Sequence, residues 1–225
     1  MSRKLLILRP EPGASATAAR AAEVGLEAVV APIFTLRPLA WEAPDPADHD
    51  AILLTSANAP RLAGKQLARF LALPCYAVGE TTAEAARAAG FGTIRTGAGD
   101  AADAAALMRA EGRQRPLHLC GREHVATGLD SRQVYAADAL DALPAKARAA
   151  LSENAVVLLH SPRSAGHFAA LVGAERGAID VAAISPAAAA AAGEGWRRKA
   201  AAAAPRDEAL LELAAQLCQT VPDGG

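Results

Sequence analysis

The sequence predicts an α/β protein built on parallel sheets, from three observations. Short aliphatic or β-branched runs alternate with longer alanine-rich stretches of helix-forming composition, the pattern of strands joined by covering helices. Glycines stand where those helical stretches end. The second half of the chain also resembles the first at a fixed offset.

Strands are predicted at residues 4–8, 27–30, 51–54, 75–78, 93–95, 117–120, 156–159 and 181–184, with a weaker one at 199–202. Helices fall between them where Ala, Leu, Glu and Arg dominate, as at 14–24, 82–89 and 208–219. Gly25, Gly90 and Gly112 supply C-terminal stops.

An offset of 106 lays Ile52-Leu53-Leu54-Thr55-Ser56-Ala57 on Leu158-Leu159-His160-Ser161-Pro162-Arg163. The same shift carries Ala77-Val78-Gly79-Glu80 onto Ala183-Ile184-Ser185-Pro186 and Leu107 onto Leu213. Alanine-rich chains match themselves easily, but these matches fall at strand-to-helix turns, where ligands bind in open α/β sheets. Two similar domains, with a cleft between them, are expected. Proline-rich residues 37–49 and the aspartate-rich segment 128–143 interrupt the rhythm as boundaries do. One discontinuous domain would hold 1–37 and 141–225, the other 50–130, with linkers at 38–49 and 131–140.

Composition excludes several functions. With 225 residues, 52% hydrophobic, the chain can bury a sizeable core. Lys plus Arg total 23 against 24 Asp plus Glu, so no general nucleic-acid footprint is present. Three scattered cysteines, Cys75, Cys120 and Cys218, form no disulfide framework and suit a reducing, cytoplasmic setting. The apolar run 5–8 is too short for a signal or a membrane span. His118, His124, His160 and His167 lack metal-ligand spacing on one helix, so no metal is expected. Dinucleotide, P-loop and nucleophile-elbow motifs do not occur. Without a heptad or long apolar patch, a monomer is the default.

The chemistry is expected at the turns. Thr55-Ser56-Ala57-Asn58 closes one strand and opens a helix; Ser161-Pro162 and Ser185-Pro186 place a capping serine before proline; Gly79-Glu80-Thr81-Thr82 opens a fourth helix. Such N-termini cap themselves or seat an anion. Arg9-Pro10, after the first strand, is either a solvated arginine or a bidentate carboxylate contact. Tyr135, in the second linker, either packs at a hinge or donates a proton; at an ordinary pKa of about 10, a phenol suits acid better than base catalysis.

Taken in order, Arg9-Pro10, Thr55-Ser56-Ala57-Asn58-Ala59, Ala77-Val78-Gly79-Glu80-Thr81-Thr82-Ala83, Tyr135, Ser161-Pro162-Arg163-Ser164-Ala165 and Ser185-Pro186 resemble the uroporphyrinogen-III synthase family over nearly the whole chain. The resemblance implies two flavodoxin-like domains joined by a two-stranded ribbon, and an enzyme that needs no cofactor. The implied substrate is hydroxymethylbilane, a linear tetrapyrrole with eight carboxylates. It is closed with loss of water and inversion of ring D, whereas unassisted closure gives the uninverted isomer. Tyr135 falls at the family's tyrosine, the candidate for assisting departure of the hydroxyl. Arg9, Thr55, Ser56, Asn58, Gly79, Thr81, Thr82, Ser161, Ser164 and Ser185 are then the substrate-binding candidates. After Ser185-Pro186 the family commonly has threonine before alanine, where this chain has Ala187-Ala188. Architecture alone also allows a non-catalytic two-domain protein that closes on a small anion. A receiver-like module is disfavoured because the acidic residues form no metal-holding cluster.

Overall fold

The computed structural model describes residues 3–97 and 101–219. In chain order it contains β1 (Leu5–Ile7), α1 (Gly13–Glu23), β2 (Ala28–Val30), β3 (Phe34–Pro38), β4 (Ala51–Leu54), α2 (Asn58–Leu62), β5 (Cys75–Ala77), α3 (Glu80–Ala89), β6 (Ile94–Thr96), α4 (Ala101–Ala110) and β7 (Pro116–Gly121). There follow β8 (Asp130–Ala139), α5 (Ala145–Ser152), β9 (Val156–Leu159), α6 (Pro162–Val172), β10 (Asp180–Ala183), α7 (Pro186–Ala191), β11 (Arg198–Ala201) and α8 (Asp207–Gln219). Among the described residues no helix is long and apolar enough to cross a membrane.

The chain divides into two compact units, one made of the described residues up to Thr35 together with those from Ala139 onward, the other of Leu36–Asp138. In the first unit the sheet runs β11-β10-β9-β1-β2, with every neighbouring pair parallel. Numbered within the unit, that is the order 2-1-3-4-5 of a flavodoxin-like sheet. The second unit has β3-β8-β7-β4-β5-β6, parallel from β8 to β6. Here the expected flavodoxin-like order needs correction, because the parallel strands count 5-4-1-2-3 along the chain. Place by place, though, β4 occupies the position of β9 and β5 that of β10, the strands matched by the offset of 106. The two sheets fill the same positions from different starting points in the chain.

Burial explains why the short apolar runs became strands. All side chains of β4 and β9 are inaccessible, as parallel strands covered on both faces must be. Beside β4, one face packs Ile52, Leu54, Phe70, Leu117 and Leu119 together, and the other packs Leu53 against Tyr76 and Met108. Each such large side chain contributes about 1.5–3 kcal/mol on leaving water. Between α3 and β6 the chain turns at Gly90, whose φ of 100° is left-handed, with Gly90 N–H donating to Arg87 O and Phe91 N–H to Ala86 O. This double closure is the Schellman stop, and a Cβ at Gly90 would be strained there.

Composition and periodicity predict neither β3 nor β8; only the resemblance, with its two-stranded ribbon, implies strands in the crossings. β8 lies in the segment expected as the second linker and β3 ends where the first begins; in β8, arginine and aspartate hide the weak alternation, with only Val134 and Ala136 buried. In the first unit the buried Asp180 accepts from Arg3 (2.6 Å), Arg197 (2.8 and 2.9 Å) and Arg198 (2.5 Å). These guanidiniums hold its carboxyl well below the usual range despite burial.

Candidate active site

In the second unit, the carboxyl ends of β4, β5 and β7 and the middle of β8 border a pocket of about 290 Å³ lined by Thr55, Ser56, Val78, Gly121, Glu123, His124 and Tyr135 among others. Its position follows the rule that open α/β sheets bind ligands beyond the carboxyl ends of their strands. Register builds it. Residues 117–120 of β7 pair in step with 130–133 of β8, but Gly121 pairs with Tyr135, one residue out of step. The bulge leaves Val134 as the extra residue and places the Tyr135 ring against Gly121. Arg122 N–H donates to Tyr135 O at 2.8 Å, fixing the backbone beyond the bulge. Tyr135 therefore belongs to a strand rather than to an irregular linker, a correction to the sequence reading. Among the described residues its hydroxyl has no hydrogen-bond partner.

Thr55 does not cap a helix: its Oγ1 lies 2.9 Å from His118 Nε2, while Thr127 Oγ1 lies 3.2 Å from Nδ1. Burial pushes the His118 imidazole down to about 4, helped by the nearby His124, so it is neutral near pH 7. A neutral ring between two hydroxyls orients Thr55 without adding charge to the pocket. Ser56 Oγ accepts from Asn58 N–H at 3.2 Å. The helix that follows, α2, has five residues, and α7 has six. Neither accumulates the aligned peptide dipoles of a longer helix, which corrects the expectation of four equivalent anion seats.

The longer helices keep that capacity. Gly79 precedes α3 in extended backbone with no side-chain cap, and Thr81 is exposed, whereas Thr82 is buried on the helix's inner face. In the first unit Ser161 Oγ accepts from Ser164 N–H at 3.1 Å, and Ser164 Oγ, itself buried, donates to Ser161 O at 3.1 Å. Thr82 and Ser164 are thus buried in the first turns of their helices, and the Ser164 side chain is bonded back to Ser161. Ser185 Oγ accepts from Ala188 N–H at 3.2 Å.

Arg9 lies across the start of α1, where a Cβ on Gly13 would come within 2.6 Å of its Nε. Its guanidinium reaches Asp207 Oδ1 at 3.3 Å and Thr17 Oγ1 at 3.4 Å. Asp207 also accepts from Thr17 Oγ1 (2.7 Å) and Arg20 (2.8 Å), and His160 Nε2 stands 3.6 Å away. Burial pulls the Arg9 pKa down, with Asp207 opposing and Arg20 reinforcing the shift. Arg9 is thus a half-buried, oriented cation rather than a freely solvated one. Thr17, Arg20 and Asp207 were not legible in the sequence, since nothing local connects Thr17 and Arg20 to Asp207, 190 residues beyond Thr17.

Helical spacing of the histidines offers no metal site. Strand β7 offers a different geometry: one ligand atom each of His118, Cys120 and His124 lies within 4.8 Å of the others. The signal present in the sequence was the two-residue step from His118 to Cys120, which puts both side chains on one face of a strand.

A family model described as uroporphyrinogen-III synthase HemD matches residues 15–212. Among solved structures, the uroporphyrinogen-III synthetase of Helicobacter pylori is 20% identical, with a TM-score of 0.65 over 96% of this chain and 99% of that one, and so shares the fold. A Thermus thermophilus uroporphyrinogen III synthase is 14% identical over 96% of this chain and all of that one (100%), with a TM-score of 0.42. A mutant form from the same organism is 14% identical over 93% and 96%, with a TM-score of 0.49. No curated protein matches the chain significantly.

Proposed function

The chain belongs to the uroporphyrinogen-III synthase family, and from that premise we propose that the pocket at the ends of β4, β5 and β7, beside Tyr135 of β8, carries the reacting end of the substrate. The protein is an enzyme of tetrapyrrole biosynthesis, a cyclising lyase that converts hydroxymethylbilane to uroporphyrinogen III with loss of water and inversion of ring D.

The observation that carries the assignment is the Tyr135 phenol, pinned over Gly121 beside this pocket and unbonded among the described residues. Tyr135 donates its proton to the departing hydroxyl, which leaves as water while the pyrrole nitrogen supplies the electron pair; the phenolate then recovers a proton released as the ring closes. Reactant and product differ by one water and no electrons, so acid assistance and positioning suffice without a cofactor. With about 290 Å³ the pocket takes part of a tetrapyrrole, since whole drug-sized ligands occupy about 300–1,000 Å³. Thr55, Ser56 and Asn58 contact that part.

Further carboxylates fall to Gly79 and Thr81 at the start of α3 and, in the first unit, to Ser161 at the start of α6 and to Arg9. We further propose a cytoplasmic monomer. The test is incubation with hydroxymethylbilane, oxidation of the product and resolution of the isomers. The inverted isomer should predominate; a mixture equal to the enzyme-free control overturns the reading.

A further inference from the structure

We propose that His118, Cys120 and His124 form a binding site for one zinc ion at the end of β7, a site the cyclisation does not require. The three ligand atoms lie within 4.8 Å of one another. A tetrahedral zinc with bonds of about 2.0–2.3 Å places its ligand atoms about 3.3–3.6 Å apart, so closing on the ion takes a movement of about 1 Å. His124 can supply it, since it lies beyond the strand and is only partly buried.

Hydrogen bonding already prepares one of the donors. His124 Nδ1 lies 2.9 Å from Gly121 O, and because a carbonyl can only accept, Nδ1 carries the proton and Nε2 presents its lone pair. A backbone carbonyl fixing the tautomer in this way is the usual outer support of a zinc-binding histidine. The His118 ring meets that of His124 edge-on, with centroids 5.6 Å apart. His118 gives up one of its threonine hydroxyls to bind metal and keeps the other as its orienting partner. Cys120, whose thiol otherwise donates to Arg132 O at 3.5 Å, gives up that contact and releases its proton to solvent as the Sγ to zinc bond forms, so each ion bound liberates one proton.

Two imidazoles and a thiolate select zinc over magnesium or calcium, which take oxygen donors. Three protein ligands leave one position for water. Because His124 and Gly121 also line the pocket with Tyr135, the ion would stand at that pocket's edge.

Cobalt titration of the chelator-treated protein tests the site without reference to activity. One equivalent of Co²⁺ should produce a near-ultraviolet thiolate-to-cobalt band, which added Zn²⁺ abolishes. Cys120→Ser should lose the band. His124→Ala, altering a partly buried side chain and therefore tolerated by the fold, should weaken affinity by roughly tenfold or more. Absence of a saturable one-equivalent band overturns the proposal, as does a band of unchanged affinity in His124→Ala or one that persists in Cys120→Ser.

Discussion

The Tyr135 ring lies so close to Gly121 that a Cβ built on the glycine would come within 2.7 Å of Cζ and 2.9 Å of the phenol oxygen. Gly121 is therefore the seat of the proposed acid. Gly121→Ala should displace the ring by about 1 Å, enough to cost about 100-fold in the rate of ring closure. The chain should still fold, since the ring borders an open pocket. Product analysis under single-turnover conditions checks this; an unchanged rate would show that the position of the ring does not matter.

Tyr135→Phe separates the proton from the ring. It keeps the aromatic packing on the cluster around Ile52 and Leu117 while removing the acid. The rate of inverted-product formation should fall about 100-fold with the unfolding midpoint nearly unchanged, as expected for loss of general acid assistance. Wild-type turnover by the phenylalanine variant would leave Tyr135 with a packing role only.

The contrast between these two residues shows how far the sequence could be read. Strands β4 and β9 stand at the expected 51–54 and 156–159 because continuous apolar runs need no partner to be recognised. The offset of 106 found strands with equivalent places in their sheets. Tyr135 was found as a residue, but its strand was not, since β8 carries Asp130, Arg132 and Asp138 on partly exposed positions. Gly121 was missed for a further reason. Its role depends on a one-residue slip between β7 and β8, which is a tertiary fact with no local signature. His118 likewise reads as a strand histidine until Thr55 and Thr127 are placed on its two nitrogens.

Arg9 has a structural partner in Asp207 as well as its proposed substrate, and Gly13 allows the two roles to be told apart. The atoms nearest a methyl group at position 13 are those of the Arg9 guanidinium, a flexible end that can move aside, so Gly13→Ala should change stability by less than about 1 kcal/mol. The guanidinium must nevertheless move. If it binds a substrate carboxylate, KM should rise about tenfold, the effect of losing one charge-assisted hydrogen bond, with kcat less affected. An unchanged KM, measured alongside a normal thermal transition, would confine Arg9 to the network with Thr17 and Asp207.

Acid should weaken both units by the same physics. His118 in the second unit and His160 in the first are each pushed down to about 4 from an ordinary 6.5, chiefly by burial, with the charge of His124 or Arg9 adding to the shift and Asp207 opposing it for His160. Their folded forms stay neutral while the unfolded chain takes up protons. Between about 6.5 and about 4 the unfolded state binds more protons, so stability falls as the pH falls, by up to about 1.4 kcal/mol per pH unit for each site. Asp180 adds little above about pH 5, because its own loss of stability begins only as the unfolded carboxyl protonates near 3.8 and continues into more acidic solution. Urea unfolding at about pH 7, 6 and 5 should show a falling midpoint, and His160→Gln should flatten the decline of the first unit. A midpoint that holds steady to about pH 5 would mean that both imidazoles can reach solvent in the folded protein.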